Sequence, residues 1–447
     1  MSHRFFPHTA EDVEMMLNAC GLNSLDDLYV DVPDSLLFKK DYDLPSEMTE
    51  AEVRAFFDST LKKNTKFETV LAGGGYYSHF SPSAIPYLIS RSEFLTAYTP
   101  YQPEISQGTL QYIFEYQTLM ARLTGLEISN ASLYDGATAT AEAMMLAVAN
   151  ARKKNRVLVS DGMNPDTIDV VKTYATNKGI DLTMIPLEGD GTTSKAFVEE
   201  ELKKGDVAGV IVGYPNYFGL VEDFSGWADM CHKAKSLFIM NCIAADLSTL
   251  KTPGEWGADV AVGDGQSLGI PLSFGGPYLG FICASKSLMR KLPGRIVGMT
   301  KDSEGRRSFV LTLQAREQHI RREKATSNIC SNQGLMALYV TIYMSLLGTK
   351  GLQEINRIGF DGAHWLATEL ASTGKASLTY PATPFFNEFC LTFASETILD
   401  SFIAEAQAAG ILPGIRIAPD RLLIAVTETA SKQSLDQLIE ILKSVKA

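Results

Sequence analysis

The chain lacks paired cysteines. Its six cysteines, Cys20, Cys231, Cys242, Cys283, Cys330 and Cys390, stand far apart and form no C-x-x-C pair. That spacing excludes a disulfide framework and a zinc site. Cys242, Cys283 and Cys390 sit in apolar β-like runs, where buried inert thiols are expected. Excess positive charge is also missing: 40 Lys and Arg face 52 Asp and Glu, a net charge of −12. Non-specific binding to nucleic acid or to an anionic membrane needs a basic surface, so neither is expected. No apolar run approaches the roughly 18 residues of a membrane span. The start, Met-Ser-His-Arg-Phe-Phe-Pro, has no signal-peptide core, so a cytoplasmic place is expected. Only six histidines occur, and none has metal-ligand spacing. Finally, neither lysine nor arginine occurs between Thr252 and Ser285.

What is present is ordinary globular material, 45% hydrophobic and 21% charged. A chain of 447 residues is expected to form more than one domain. Residues 1–65 read as a helical, acidic arm of the kind that often packs on a partner subunit, or equally one that covers the chain's own core. Thr9-Ala-Glu-Asp12 and Thr49-Glu-Ala-Glu52 are capping boxes, and Gly21 ends the first helix. Residues 66–108 are loop-rich, with Gly73-Gly-Gly-Tyr-Tyr77 and Tyr98-Thr-Pro-Tyr-Gln-Pro-Glu104. A helix follows from Ser106 to Leu123. Short apolar strands at 156–160, 181–185, 207–213 and 237–240 then alternate with helices, the pattern of a parallel sheet covered on both faces. After residue 330 the order changes to two long helices, strands at 377–380, 388–393 and 422–426, and a last helix from Ser431. The expected organisation is an arm (1–65), a large α/β domain (66–330) and a small α+β domain (331–447). Gly410-Ile-Leu-Pro-Gly414 reads as a turn in the latter.

Several segments carry possible chemistry. Asp135-Gly-Ala-Thr138 opens a helix. Its N–H groups, with small residues allowing close approach, make Gly136, Ala137 and Thr138 candidates for a phosphate loop, although an ordinary N-cap is the commoner reading of such a start. Pro215-Asn-Tyr-Phe-Gly-Leu220 follows a strand at the end that faces the crevice of an open α/β sheet. The strand 237–240 runs into Asn241-Cys-Ile-Ala-Ala-Asp246. The segment from Trp256 to Ala284 reads as strand, Gly/Pro-rich loop and strand, the layout that anchors pyridoxal phosphate (PLP). There a lysine amine would form the Schiff base, and an aspartate at the strand end would hold the ring nitrogen protonated. The loop has no lysine. Asn241, Cys242 and Ile243 occupy the aspartate's place, with Asp246 past its reach. Two missing groups indicate a degenerate site. Arg306, Arg307, Arg316, Arg321, Arg322 and Lys324 form a basic strip suited to carboxylates, phosphate or an acidic partner, or simply to solvent.

The stretches Phe94–Gly108, Asn130–Thr138, Pro293-Gly-Arg-Ile-Val-Gly298 and Arg316–Ser331 together resemble the glycine cleavage system P-protein family. The resemblance spans essentially the whole chain, at the length of the N-terminal half that some bacteria encode separately as subunit 1. It implies a fold-type I PLP-transferase architecture, a mostly parallel sheet with a smaller C-terminal domain. It further implies a PLP-bearing subunit 2 in an α2β2 assembly. The family reaction is decarboxylation of glycine on PLP and transfer of the aminomethyl group to the lipoyl arm of H-protein. PLP is expected on the partner's lysine. For a shared active site the candidates are the loop residues Tyr98, Tyr101, Gln102 and Glu104, and for a structural or channel-lining strip Arg316, His319, Arg321 and Lys324. One departure is visible: family members commonly have His-Pro where this chain has Asn164-Pro165. Two other readings compete. One is a self-sufficient fold-type I PLP enzyme using Lys251 or Lys286. The other is a non-catalytic scaffold derived from that fold.

Overall fold

The computed structural model describes residues 5, 7–96, 98–151 and 153–446. The chain divides into two compact units, residues 1–65 and 66–447. In the first unit, helices Ala10–Cys20 and Glu50–Leu61 both carry the expected capping boxes, on Thr9 and Thr49, and Gly21 ends the former in the left-handed conformation. None of this unit's described residues is buried.

The second unit is built on a seven-stranded sheet. Its spatial order is Ile128–Ser129, Gly280–Ala284, Val260–Asp264, Leu237–Ile243, Val207–Tyr214, Arg156–Ser160 and Asp181–Ile185. The last five run parallel, and Gly280–Ala284 runs antiparallel to both its neighbours. Every residue of Arg156–Ser160, Val207–Tyr214 and Gly280–Ala284 is buried. Such continuous apolar strands need cover on both faces. One face carries helix Gly136–Ala151, whose Ala139, Ala143 and Ala147 are wholly buried against Val157, Ile211 and Val262. The other face carries Tyr116 and Met120 of helix Gln107–Thr124, with Phe224, Trp227 and Phe238.

A hairpin, Ile296–Lys301 with Arg307–Thr312, was not legible in the sequence. Gln117 pins it, bonding the Val297 backbone through both amide atoms. The two expected helices after residue 330 form one run, Gly334–Ser372, broken at Gly348 with φ of 59°. Its first half, through Leu352, packs in the large core. Its second half, from Ala363, packs in the core of a four-stranded antiparallel sheet. The expected boundary at residue 330 therefore precedes the exchange of cores, which falls inside the run. By length and hydropathy this helix could cross a bilayer, yet 44% of its most apolar window is buried in the protein. The segment read as a turn at 410–414 contains a strand, Ile411–Leu412, paired in parallel with Thr69–Val70.

Candidate functional site

The C-terminal ends of the parallel strands open into a narrow cleft, where an open α/β sheet places its ligand. Two loops and the end of one strand wall it. The first contains Gly74 and Gly75, with φ of 67° and 100°, a path that favours glycine. The second is the turn Pro215–Tyr217, and the strand end Asn241, Cys242 and Ile243 forms the remaining wall. Asn164, Gly136, Asp264 and Glu388 complete the lining.

The asparagines and the glutamate in this wall are engaged by the chain itself. Asn164 caps helix Pro165–Lys178 by accepting from Asp166 and Thr167, and its Nδ2 donates to the Gly74 carbonyl at 2.7 Å. Asn216 closes its own turn, accepting from Phe218 and Leu220. Asn241 donates to Thr140 Oγ1 at 2.7 Å. Glu388, from the small sheet, crosses to the loop: it accepts from Gly74 N–H at 2.7 Å and from Tyr77 OH at 2.8 Å. Burial pushes its carboxyl up to about 7. Gly73 permits this approach, since a Cβ there would lie 2.2 Å from Glu388 Oε1.

The loop expected to carry an anchoring lysine opens instead with Gln266, which is wholly buried. Its Oε1 accepts from Tyr77 N–H at 2.8 Å, and its Nε2 donates to the carbonyls of Tyr77 and Ile270 at 2.8 and 2.7 Å. Lys251 lies over the Trp256 ring, 3.7 Å from its centroid. Lys286 follows Ala284, which pairs with Val260, whereas the cleft lies at the Asp264 end of that ladder. Neither lysine lines the cleft. Asp246 is buried on a short turn behind the wall, with Oδ2 unpartnered. Burial, and then the nearby Glu388 charge, hold its carboxyl well above the usual range.

At the helix start expected to receive phosphate, two of the first three N–H groups are already engaged. Gly136 N–H donates to Asp264 Oδ2 at 2.9 Å, and Thr138 N–H to Asp135 Oδ1 at 2.7 Å. Ala137 sits between these two and is half-buried. Asp264 was missed in the sequence, although its place at the end of an apolar strand beside a glycine was a usable signal. Tyr98, Tyr101, Gln102 and Glu104 are exposed and lie outside the cleft lining. Arg295 stacks over the Tyr101 ring at 5.6 Å. The basic strip is not one face. Arg316 is half-buried and donates to the Leu292 carbonyl; desolvation lowers its pKa. His319 lies 3.7 Å from Glu317. Arg321 and Lys324 stay exposed.

Comparison with known proteins identifies the family and the fold. The family model described as glycine cleavage system P-protein matches residues 3–442. A probable glycine dehydrogenase (decarboxylating) subunit 1 of Moorella thermoacetica is 46% identical, with 99% of this chain and 100% of the relative covered. The corresponding protein of Brevibacillus brevis is 43% identical, covering 100% and 99%. A crystal structure of a glycine decarboxylase (P-protein) of the glycine cleavage system, in inhibitor-bound form, superimposes with a TM-score of 0.89 at 41% identity, both chains fully covered. A Lactobacillus brevis glutamate decarboxylase shares the fold alone, with a TM-score of 0.68 at 13% identity over 92% and 95% of the two chains.

Proposed function

Because this chain belongs to the glycine cleavage system P-protein family, we propose that it works as subunit 1 of a glycine dehydrogenase (decarboxylating), the half that supports a PLP-bearing partner rather than anchoring the coenzyme. The observation that carries this reading is Gln266. The first loop residue facing a lysine's task is a buried amide clamped on the Tyr77 backbone, in a segment without any basic side chain. PLP, where it is bound, supplies an electron sink for loss of the glycine carboxylate. In this assignment that chemistry belongs to subunit 2, and the aminomethyl group passes to the lipoyl arm of H-protein.

The need for a partner is supported by residues 7–65, in which Phe38, Phe56, Phe57 and Leu61 are all more than half exposed. Apolar side chains grouped in this way mark an interaction surface. An α2β2 assembly is the corresponding architecture. The exposed Tyr98, Tyr101, Gln102 and Glu104 are the loop residues we assign to an active site shared with subunit 2, and Arg321 and Lys324 to its rim. The break at Gly348 and the two protein cores that cover the long helix support a soluble, cytoplasmic setting. The test is to purify the chain alone and with subunit 2, PLP and lipoylated H-protein. Glycine decarboxylation is expected only in the mixture. A borohydride-trapped lysine adduct with independent turnover in the isolated chain overturns the assignment.

A further inference from the structure

We infer that this subunit's own cleft is closed to PLP by a built-in anion: the Asp264 carboxylate occupies the phosphate position at the start of helix Gly136–Ala151, so loss of the lysine is not what keeps the coenzyme out. The inference rests on the subunit-1 reading and deepens it.

A helix start in this place binds phosphate through free N–H groups and the positive end of the helix dipole. Here two of those donors are already spent on carboxylates, Gly136 on Asp264 and Thr138 on Asp135. Asp264 is held on both oxygens. Oδ2 takes Gly136 N–H, while Oδ1 takes Gln266 N–H at 2.8 Å and Leu279 N–H at 3.4 Å. Gly136 packs directly on the strand end, since a Cβ there would meet Asp264 N at 2.7 Å and Gly263 C at 2.9 Å. Gly280 closes the other side, its Cβ position lying 2.2 Å from the Asp135 carbonyl. A phosphate entering this cup would meet two carboxylates where it needs donors, and like charges at such separations repel strongly in a poorly hydrated site.

The remaining PLP contacts are closed by the same means. Asn241, at the place for the ring-nitrogen aspartate, already bonds Thr140. Gln266 uses three hydrogen bonds to hold the loop on Tyr77 and Ile270. A lysine there would lose them and bury an ammonium, so restoring the amine alone does not restore the site.

The experiment uses the full chain and two probes, deoxypyridoxine phosphate and unphosphorylated deoxypyridoxine. Neither has an aldehyde, so neither labels surface lysines. Binding is followed by calorimetry for the wild type, Asp264→Ala, Gln266→Lys and the double variant, with inorganic phosphate as a third ligand. In the wild type the phosphorylated probe is expected to bind no better than the unphosphorylated one. Asp264→Ala is expected to gain at least tenfold for the phosphorylated probe and for inorganic phosphate, and Gln266→Lys to gain nothing. A wild-type preference for the phosphorylated probe overturns the inference, and that measurement needs no variant to fold. So does phosphate affinity that is unchanged in a folded Asp264→Ala, or a tenfold gain for the phosphorylated probe in the single Gln266→Lys variant. These outcomes leave partner-dependent glycine decarboxylation untouched, so they fail separately from the subunit-1 assignment.

Discussion

Glu388 shows how one buried acid ties the small sheet to the cleft loop. Its two oxygens serve Gly74 and Tyr77, and its carboxyl is raised from 4.5 to about 7 by burial. Between those values the folded chain holds a proton that the unfolded chain has released. The stability this group contributes is therefore complete below about 4.5 and declines as the pH rises to about 7. Asp264 and Glu142 add slopes of the same sign, with values raised by burial to about 6 and about 7. The difference between wild type and Glu388→Gln isolates this residue. The glutamine keeps an acceptor for Gly74 and cannot ionise. Thermal unfolding across this range should show a shallower decline in the variant and a gain above neutrality of at most about 3 kcal/mol. Parallel curves for the two proteins would place the ionisation elsewhere.

At the scale of elements, Asn164 links helix Pro165–Lys178 to the glycine loop. It caps the helix with Oδ1 and holds the Gly74 carbonyl with Nδ2. This gives the departure from the family's His-Pro a structural role of its own. Asn164→Ala removes both bonds and should destabilise by about 1–2 kcal/mol in denaturant unfolding. Asn164→Asp keeps the cap and places a negative charge at the helix start, which is favourable. It should recover most of the stability while losing the Gly74 bond. Hydrogen exchange at Gly74–Tyr77 should then rise in both variants, and protection retained in Asn164→Asp would show that the loop is held by Glu388 alone.

At the scale of the molecule, residues 66–447 bury their apolar faces in three main cores, one on each face of the large sheet and one on the small sheet, whereas the described residues of 7–65 bury none. Capping boxes define the helices of the arm, yet its apolar side chains have no interior to enter. Replacing Phe56 and Phe57 by serine should change the chain's own unfolding by no more than about 0.5 kcal/mol. The same double variant should weaken association with subunit 2 at least tenfold in analytical ultracentrifugation. Unchanged association would remove these side chains from the interface.

The sequence by itself determined the alternation of strands and helices in the large parallel sheet and the lack of an anchoring amine. Both follow from local pattern: runs of apolar residues, caps, glycines and the residue types in one segment. It also carried the family resemblance in long contiguous stretches. Other features depended on residues far apart in the chain. Gly136 meets Asp264, Glu388 meets Gly74, and Gln266 meets Tyr77 only once the sheet is folded. The Arg316 bond to the Leu292 carbonyl and the Thr69–Val70 pairing with Ile411–Leu412 arise the same way. Hydrogen bonds between such distant groups leave no periodicity in the chain. Tertiary structure therefore decided that the helix start holds the protein's own carboxylate, while the sequence showed only a turn with room for an anion.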